Sequence, residues 1–486
     1  MMMHVWIRRC LQLAVVLSWA LSGVGWCGGN EDANAPVPDE SRAWLIMGAT
    51  LIDGTGRPAV EDSVIYIVNG RIRYAGPRAM MGPLPEAKVV DAAGKFVVPG
   101  IVDAHAHIDS LGGVPLQPDQ QEIVRDYTPL AFLYHGVTTV LNMSAHDLDR
   151  VLEMREQARR EPASLLPRIY TGAVGFTAAN GWGSRHGGGL TVDSDVDDSL
   201  TRYRSLDVDL VKIIDEDGLG KAGVFPRIPA QHAVEIVSAS KAAGLPVFIH
   251  ATDEREYLSS IALGPRVIAH GLVTPQEPGS PIVRGLREKG IFVVPTIVLF
   301  ESFYRVVDNP ELLNDPQLRA SVPDFVLDAL RDPANIARVF ARMDEVLEID
   351  ALDWGRAAVP DLEANVKRFV DAGIPIAVGT DGGGAVVHSF QGYNVPREME
   401  LLAQCCLDPL QTIVAASGNA ARIMGAEEEF GTLTEGRSAD LLVLNANPLA
   451  DMRAIRDFDY LMLRGHLIRR QYLSYAAFVA RRGAGH

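Results

Sequence analysis

Pro99-Gly-Ile-Val-Asp-Ala-His-Ala-His107 is the stretch on which the reading of this chain turns. A Pro-Gly step leads into an apolar run of strand length. On a strand alternate side chains share a face, so Asp103, His105 and His107 point one way while Ala104 and Ala106 point the other. Two imidazoles thus converge at the C-terminal end of a strand, and neutral imidazole is a common zinc ligand. Barrels of parallel strands place their chemistry at that end. Asp103 reads as an acceptor behind one of the imidazoles.

Working outward, strand-length apolar runs recur at 96–102, 138–141, 168–170, 210–214, 247–249, 267–269, 292–295 and 374–378, with helical patterns between them. Eight such alternations predict an α/β chain folded as a (β/α)8 TIM barrel. Three more of these runs end in chemistry. His250 closes Pro-Val-Phe-Ile-His, His270 closes Val-Ile-Ala-His before Gly271, and Asp381 closes Ala-Val-Gly-Thr-Asp before three glycines. A single such histidine reads as a satisfied core residue. Four histidines and an aspartate at the ends of different strands are hard to explain by packing. Lys212, in Leu-Val-Lys-Ile-Ile, places an ammonium in an apolar strand, which is costly unless the charge is paired or lost. Either it pairs with Asp381 or Asp215, or it is a neutral amine that captures carbon dioxide as a carbamate; spacing leaves both open.

The flanks complete the organisation. Arg8 and Arg9, the apolar stretch to Leu21 and the small residues after it have the layout of a signal peptide over 1–27, so the mature chain is expected in the periplasm or outside the cell. A lipid anchor on Cys27 is disfavoured by Trp26. Residues 28–42 read as a polar linker. Short strand patterns with turn signals at Asp53-Gly54, Asn69-Gly70 and Ala93-Gly94 read as a small antiparallel unit over 43–98. They are expected to pair with similar patterns over 426–476 into one discontinuous β-sandwich around a barrel spanning 99–425. Residues 301–369 suggest several helices over the barrel mouth. Cys10, Cys27, Cys405 and Cys406 give no disulfide framework, and the adjacent pair reads as packing.

The chain has 486 residues, of which 48% are hydrophobic and 22% charged, enough to bury a large core. A net charge of −16 repels nucleic acid and anionic membranes, and beyond the leader no run is long enough to span a bilayer.

These motifs resemble the amidohydrolase superfamily, in particular its imidazolonepropionase-like and prolidase-like branch. The likeness runs from Trp44 to about Gln471. It rests on Ile52-Asp-Gly-Thr-Gly56, Pro99 to His107, Val211-Lys-Ile, His250, His270-Gly271, Gly379-Thr-Asp381, Arg397-Glu-Met-Glu-Leu-Leu, Asn419-Ala-Ala-Arg422 and Gly436 to Leu444. The resemblance implies two divalent ions, zinc by default: His105, His107 and Asp381 on one, His250 and His270 on the other, with carboxylated Lys212 and a hydroxide between them. It also implies that Asp381 shuttles the proton. The lysine bridge favours the peptidase-like side of the branch. Expected chemistry is hydrolysis of an amide or peptide-like C–N bond in a small molecule such as a dipeptide or N-acyl amino acid. Ester or lactone hydrolysis on the same centre, or a barrel that serves as a non-catalytic scaffold, are the alternatives, and self-association is left open. Trp182, Arg185 and His186 after the third strand, and His388 after Asp381, are the candidates for gripping substrate. Arg185, Arg227 or Arg397 could bind a substrate carboxylate as a bidentate partner, though each reads more readily as a surface or helix-stabilising charge, and His146 and His232 read as helix-face residues without partners.

Overall fold

Aliphatic and β-branched runs of three to nine residues build the sheets, and glycine-containing turns separate them. The computed structural model describes residues 43–110, 115–185, 189–191, 196–220, 223–384 and 388–484. The expected signal peptide and linker lie outside them. No described helix is long and apolar enough to cross a membrane.

The terminal segments form an eight-stranded sheet. From the N-terminal side come β1 (Ala43–Leu51), β2 (Val60–Val68), β3 (Arg71–Pro77), β4 (Lys88–Asp91) and β5 (Phe96–Pro99). The C-terminal side contributes Leu441–Leu444, Phe458–Leu463 and His466–Arg469. β1, β2 and β3 are antiparallel, as expected. β4 and β5 instead run parallel to β1: the chain crosses back once, between β3 and β4, and β5 then continues in the same direction along β1. β1 is long enough to hold β4 along 44–47 and β5 along 50–51, so the sheet branches there. All eight strands are therefore linked by hydrogen bonds, and the two terminal groups form one β domain that is discontinuous in sequence.

β5 pairs antiparallel with Leu441–Leu444, which joins the two ends of the chain. Two hairpin turns lock the same junction. Asn69-Gly70 and Arg464-Gly465 both have positive φ at each residue, the type I′ requirement. They touch so closely that a Cβ on Gly465 would lie 2.4 Å from the Gly70 Cα. Between them Ala439 donates its N–H to the Gly70 carbonyl and accepts from the Gly465 N–H.

The middle of the chain alternates parallel strands and helices. β6 (Ile101–Ala106), β7 (Val137–Asn142) and β8 (Arg168–Thr171) pair in order. Then come β9 (Gly175–Thr177), β10 (Gly189–Thr191), β11 (Val211–Ile214), β12 (Val247–His250), β13 (Val267–Ala269) and β14 (Phe292–Val294). They bond in the order β10-β9-β11-β12-β13-β14. The eighth expected run makes only an isolated bridge, Ile376 to Val293, yet it bonds on both sides: Val293 N–H to Pro375 O, and Ala104 N–H to Val378 O. The Asp209 N–H reaches Thr171 O and links β8 to the segment entering β11. This order is consistent with a barrel beside a β domain.

Residues 297–371 form six helices and a 3-10 turn. The longest, Ala351–Asp371, crosses the loops after β11 and β13. There the Trp354 Nε1 donates to Leu219 O, and Asn365 donates to Leu272 O and Thr274 O. Cys405 and Cys406 are joined as a vicinal disulfide where the helix Asn394–Cys405 ends, a correction to the reading of plain packing.

Gly379 lies where the eighth run crosses β6 and β14. A Cβ there would meet Val294 Cγ1 at 2.5 Å and His105 Cβ at 2.9 Å. Gly379→Ala is expected to cost about 1–3 kcal/mol through overpacking, read from the shift of a urea or guanidinium unfolding midpoint; an unchanged midpoint would show the seam to be looser than described.

Candidate active site

The strand ends β6, β11, β12 and β13 and the residues after Thr380 meet at one place. The backbone begins it: the His105 carbonyl accepts the N–H groups of Thr380 and Asp381, at 3.1 and 2.7 Å. Asp381 Oδ1 then lies 2.9 Å from His107 Nε2 and 3.2 Å from His105 Nε2. These three residues offer ligand atoms all within 4.8 Å of one another. The ring of His270 is 4.7 Å from that of His105 and 4.3 Å from that of His250. All four histidines and Asp381 are thus brought together. His270, Thr296, Asp381 and His388 hold positive φ, a strained conformation for such residues that concentrates at functional sites.

Lys212 is 3% exposed, and its Nζ makes no hydrogen bond among the described residues. Burial pulls the amine down to about 7, with the Asp381 charge pulling the other way. The ion-pair alternative fails for Asp215, which is held by Arg227 at 2.6 Å and by the Ile228 N–H.

Three of the imidazoles are oriented by their other nitrogen. His107 Nδ1 donates to Ser144 O (2.9 Å), His250 Nε2 meets Glu216 Oε2 (2.7 Å), and His270 Nδ1 meets Thr296 Oγ1 (2.9 Å). Such outer contacts fix the tautomer and ring plane of a metal-binding histidine. The buried His105 Nδ1 has no partner among the described residues.

Burial and the Lys212 charge push the His105 imidazole down to about 3, and burial with its neighbours His250 and His105 holds His270 well below its ordinary value. Both present neutral nitrogen. Burial would raise the Asp381 carboxyl, but His105 and His107 outweigh it and hold it well below the usual range. Burial likewise opposes the charged form of His107, yet Asp381 raises it overall. Neutral imidazoles, a carboxylate and an unpartnered amine in one buried cluster are a donor set that fits divalent cations.

Asp103 does not accept from an imidazole. Its Oδ1 takes the N–H groups of His105 and Thr380, and its Oδ2 the Thr380 hydroxyl at 2.7 Å. It clamps the first run to the eighth, and burial raises its carboxyl to about 7.

Of the substrate candidates, Trp182 packs against Phe225, with ring centroids 5.2 Å apart. Arg185 ends the short helix Trp182–Arg185, and His186 lies outside the described residues. His388 is buried beside Phe390, and burial lowers its imidazole to about 4. Arg227 and Arg397 are bound up in ion pairs, Arg397 with Glu301 at 2.6 Å. His146 is corrected: it precedes its helix, and its ring stands 6.1 Å from that of His107, near Asp109. Sequence reasoning missed Glu216, Ser144 and Thr296. For Glu216 the available signal is the acidic run Asp215-Glu-Asp217 directly after the lysine strand.

The chain matches the amidohydrolase family over residues 96–468. Imidazolonepropionase of Geobacillus kaustophilus is 24% identical over 407 residues, covering 79% of this chain and 84% of that protein. Adenine deaminase 3 of Rhizobium meliloti is 25% identical over 84% of this chain, which spans 55% of the deaminase. A Xaa-Pro dipeptidase solved with methionine in its active site superposes with a TM-score of 0.67 at 20% identity, covering 88% of this chain and 100% of that one. A. niger ochratoxinase gives 0.66 at 17% identity, over 89% and 96%. At these identities the structural likeness is one of fold.

The raised His107 predicts proton-coupled metal uptake. Below its raised value the imidazolium–Asp381 pair competes with a cation; as pH rises through that value the proton is lost and the competition ends. Zinc added to chelator-treated protein in bicarbonate-free buffer is expected to release more protons at about pH 6.5 than at about pH 8.5, measured by calorimetry in buffers of different ionisation enthalpy. Equal release at both would contradict the pairing.

Proposed function

Because the chain belongs to the amidohydrolase family and is a hydrolase of carbon–nitrogen bonds, we propose that it cleaves the amide or peptide-like bond of a small molecule of the dipeptide or N-acyl amino acid type. The observation that carries this reading is Lys212, a buried amine near pKa 7 with no hydrogen-bond partner among the described residues, set among four histidines and Asp381. A neutral amine attacks carbon dioxide, forming an N–C bond and releasing a proton. The resulting carbamate replaces the neutral amine with an anion that carries two oxygen ligands. His105, His107 and Asp381 would hold one divalent ion, zinc being the natural choice for nitrogen and oxygen donors, His250 and His270 the other, and carboxylated Lys212 both. When bound, such a pair lowers the pKa of a water toward neutrality and polarises the substrate carbonyl.

The chain's own residues supply the rest. Asp381 is held by its backbone N–H on the His105 carbonyl, takes the proton of the attacking water and hands it to the leaving nitrogen. No serine or cysteine nucleophile is needed. The strands β6, β7, β8, β11, β12, β13 and β14 and the run 374–378 are read as a closed (β/α)8 barrel that holds these groups at its rim. The helices over 297–371 are read as its cover. The basic, apolar and small order of the first 27 residues supports export to the periplasm or beyond.

Zinc- and bicarbonate-loaded protein is expected to turn over dipeptides or N-acyl amino acids in preference to lactones; the reverse preference would move the assignment to ester chemistry, and no metal uptake would favour a scaffold. Asp381→Asn should lower kcat by about 10²- to 10⁴-fold in a steady-state assay with the melting temperature nearly unchanged. Lys212→Ala should abolish turnover, with partial recovery on adding a short-chain carboxylic acid.

A further inference from the structure

Glu216 is a fully buried carboxylate at the start of the loop that follows β11, four residues beyond Lys212. Each of its oxygens is committed. Oε1 accepts the N–H groups of Gly218 and Leu219, both at 2.6 Å. Oε2 accepts from His250 Nε2 at 2.7 Å and from the Thr252 hydroxyl at 3.1 Å. A second buried carboxylate, Glu256, lies on the other side of Thr252 and accepts the N–H groups of Asp217, Thr252 and Asp253. The two carboxylates stitch the loop after the lysine strand to the loop after the His250 strand.

We propose that Glu216 is a positioning residue that acts through His250. It binds the Nε2–H tautomer, leaves Nδ1 as the nitrogen with a free lone pair, and thereby sets the affinity of the second cation position. This rests on the reading of His250 as a ligand under the proposed function.

The chemistry of the contact is directional. A carboxylate can only accept, so it selects the imidazole with its proton on Nε2. Glutamine at the same place cannot do so without loss. With its NH₂ toward His250 it needs an acceptor there, which puts the imidazole proton on Nδ1 and removes the lone pair. With its oxygen toward His250, the NH₂ opposes the N–H groups of Gly218 and Leu219. The first arrangement strikes His250 itself and the second the loop turn that holds the residue against it; neither touches His105, His107 or Asp381. Loss of such an outer contact typically weakens metal binding by about 10- to 100-fold.

The test compares chelator-treated wild type, Glu216→Gln and His250→Asn, all full length, by zinc titration in bicarbonate buffer with metal analysis after dialysis. Wild type is expected to take up two zinc ions and His250→Asn to lose one. Glu216→Gln should keep one at wild-type affinity and bind the other about 10- to 100-fold more weakly. Two ions at wild-type affinity in Glu216→Gln would overturn the proposal. A wild type that takes up one ion, unchanged by His250→Asn, would overturn the two-ion reading itself, an outcome that does not involve the Glu216 variant. If Glu216→Gln does not fold, ¹⁵N-histidine spectra of metal-free wild type decide, with the resonance assigned from His250→Asn: a proton on His250 Nε2 is expected, and a proton on Nδ1 refutes the proposal.

Discussion

One backbone oxygen holds the chemistry of this molecule together. The His105 carbonyl accepts the amides of Thr380 and Asp381, and Asp103 reinforces the same seam through the Thr380 amide and hydroxyl. Asp103 and Thr380, 277 residues apart in the chain, are thereby placed within one hydrogen bond of each other. Only with this seam closed can Asp381 lie between the two imidazoles of the first strand. The strain of a left-handed aspartate is tolerated because its amide and both imidazole contacts fix it.

The burial of so many polar groups follows from their mutual satisfaction. An isolated ammonium or carboxylate in this interior would be costly, and the responses differ by residue. Asp381 keeps its charge because two imidazoles face it, whereas Lys212, with no such partner, is driven toward the neutral amine. The same environment that makes the lysine a poor cation makes it a nucleophile.

Much of this was legible in the sequence. The histidine pair, the single histidines closing two strands and Asp381 sit at ends of apolar runs, and the misplaced lysine interrupts one, features that periodicity locates well. What periodicity does not carry is the path of the loops. Glu216, Thr296 and Ser144 reach the imidazoles from turns whose course is set by tertiary contacts, and Asp103 was assigned the wrong partner because a strand pattern specifies a face and no particular acceptor. His146 was read as a helix residue since the residues that follow it are helical, though it sits just before Asp147, which caps the helix beginning at Leu148. The parallel pairing of β4 and β5 with β1 was hidden for a related reason: hairpin signals describe the residues in a turn, while a crossover leaves no local mark.

The contact between the two glycine turns has a further bearing on how the chain is made. The Gly70 carbonyl waits for the Ala439 amide, and Arg71 waits for Glu429, 358 residues downstream. During synthesis β5 and the turn at Gly70 are made well before their native partners at Leu441–Leu444 and Ala439. The β domain therefore cannot complete its pairing until the segment 439–469 has been made, long after β1 to β5.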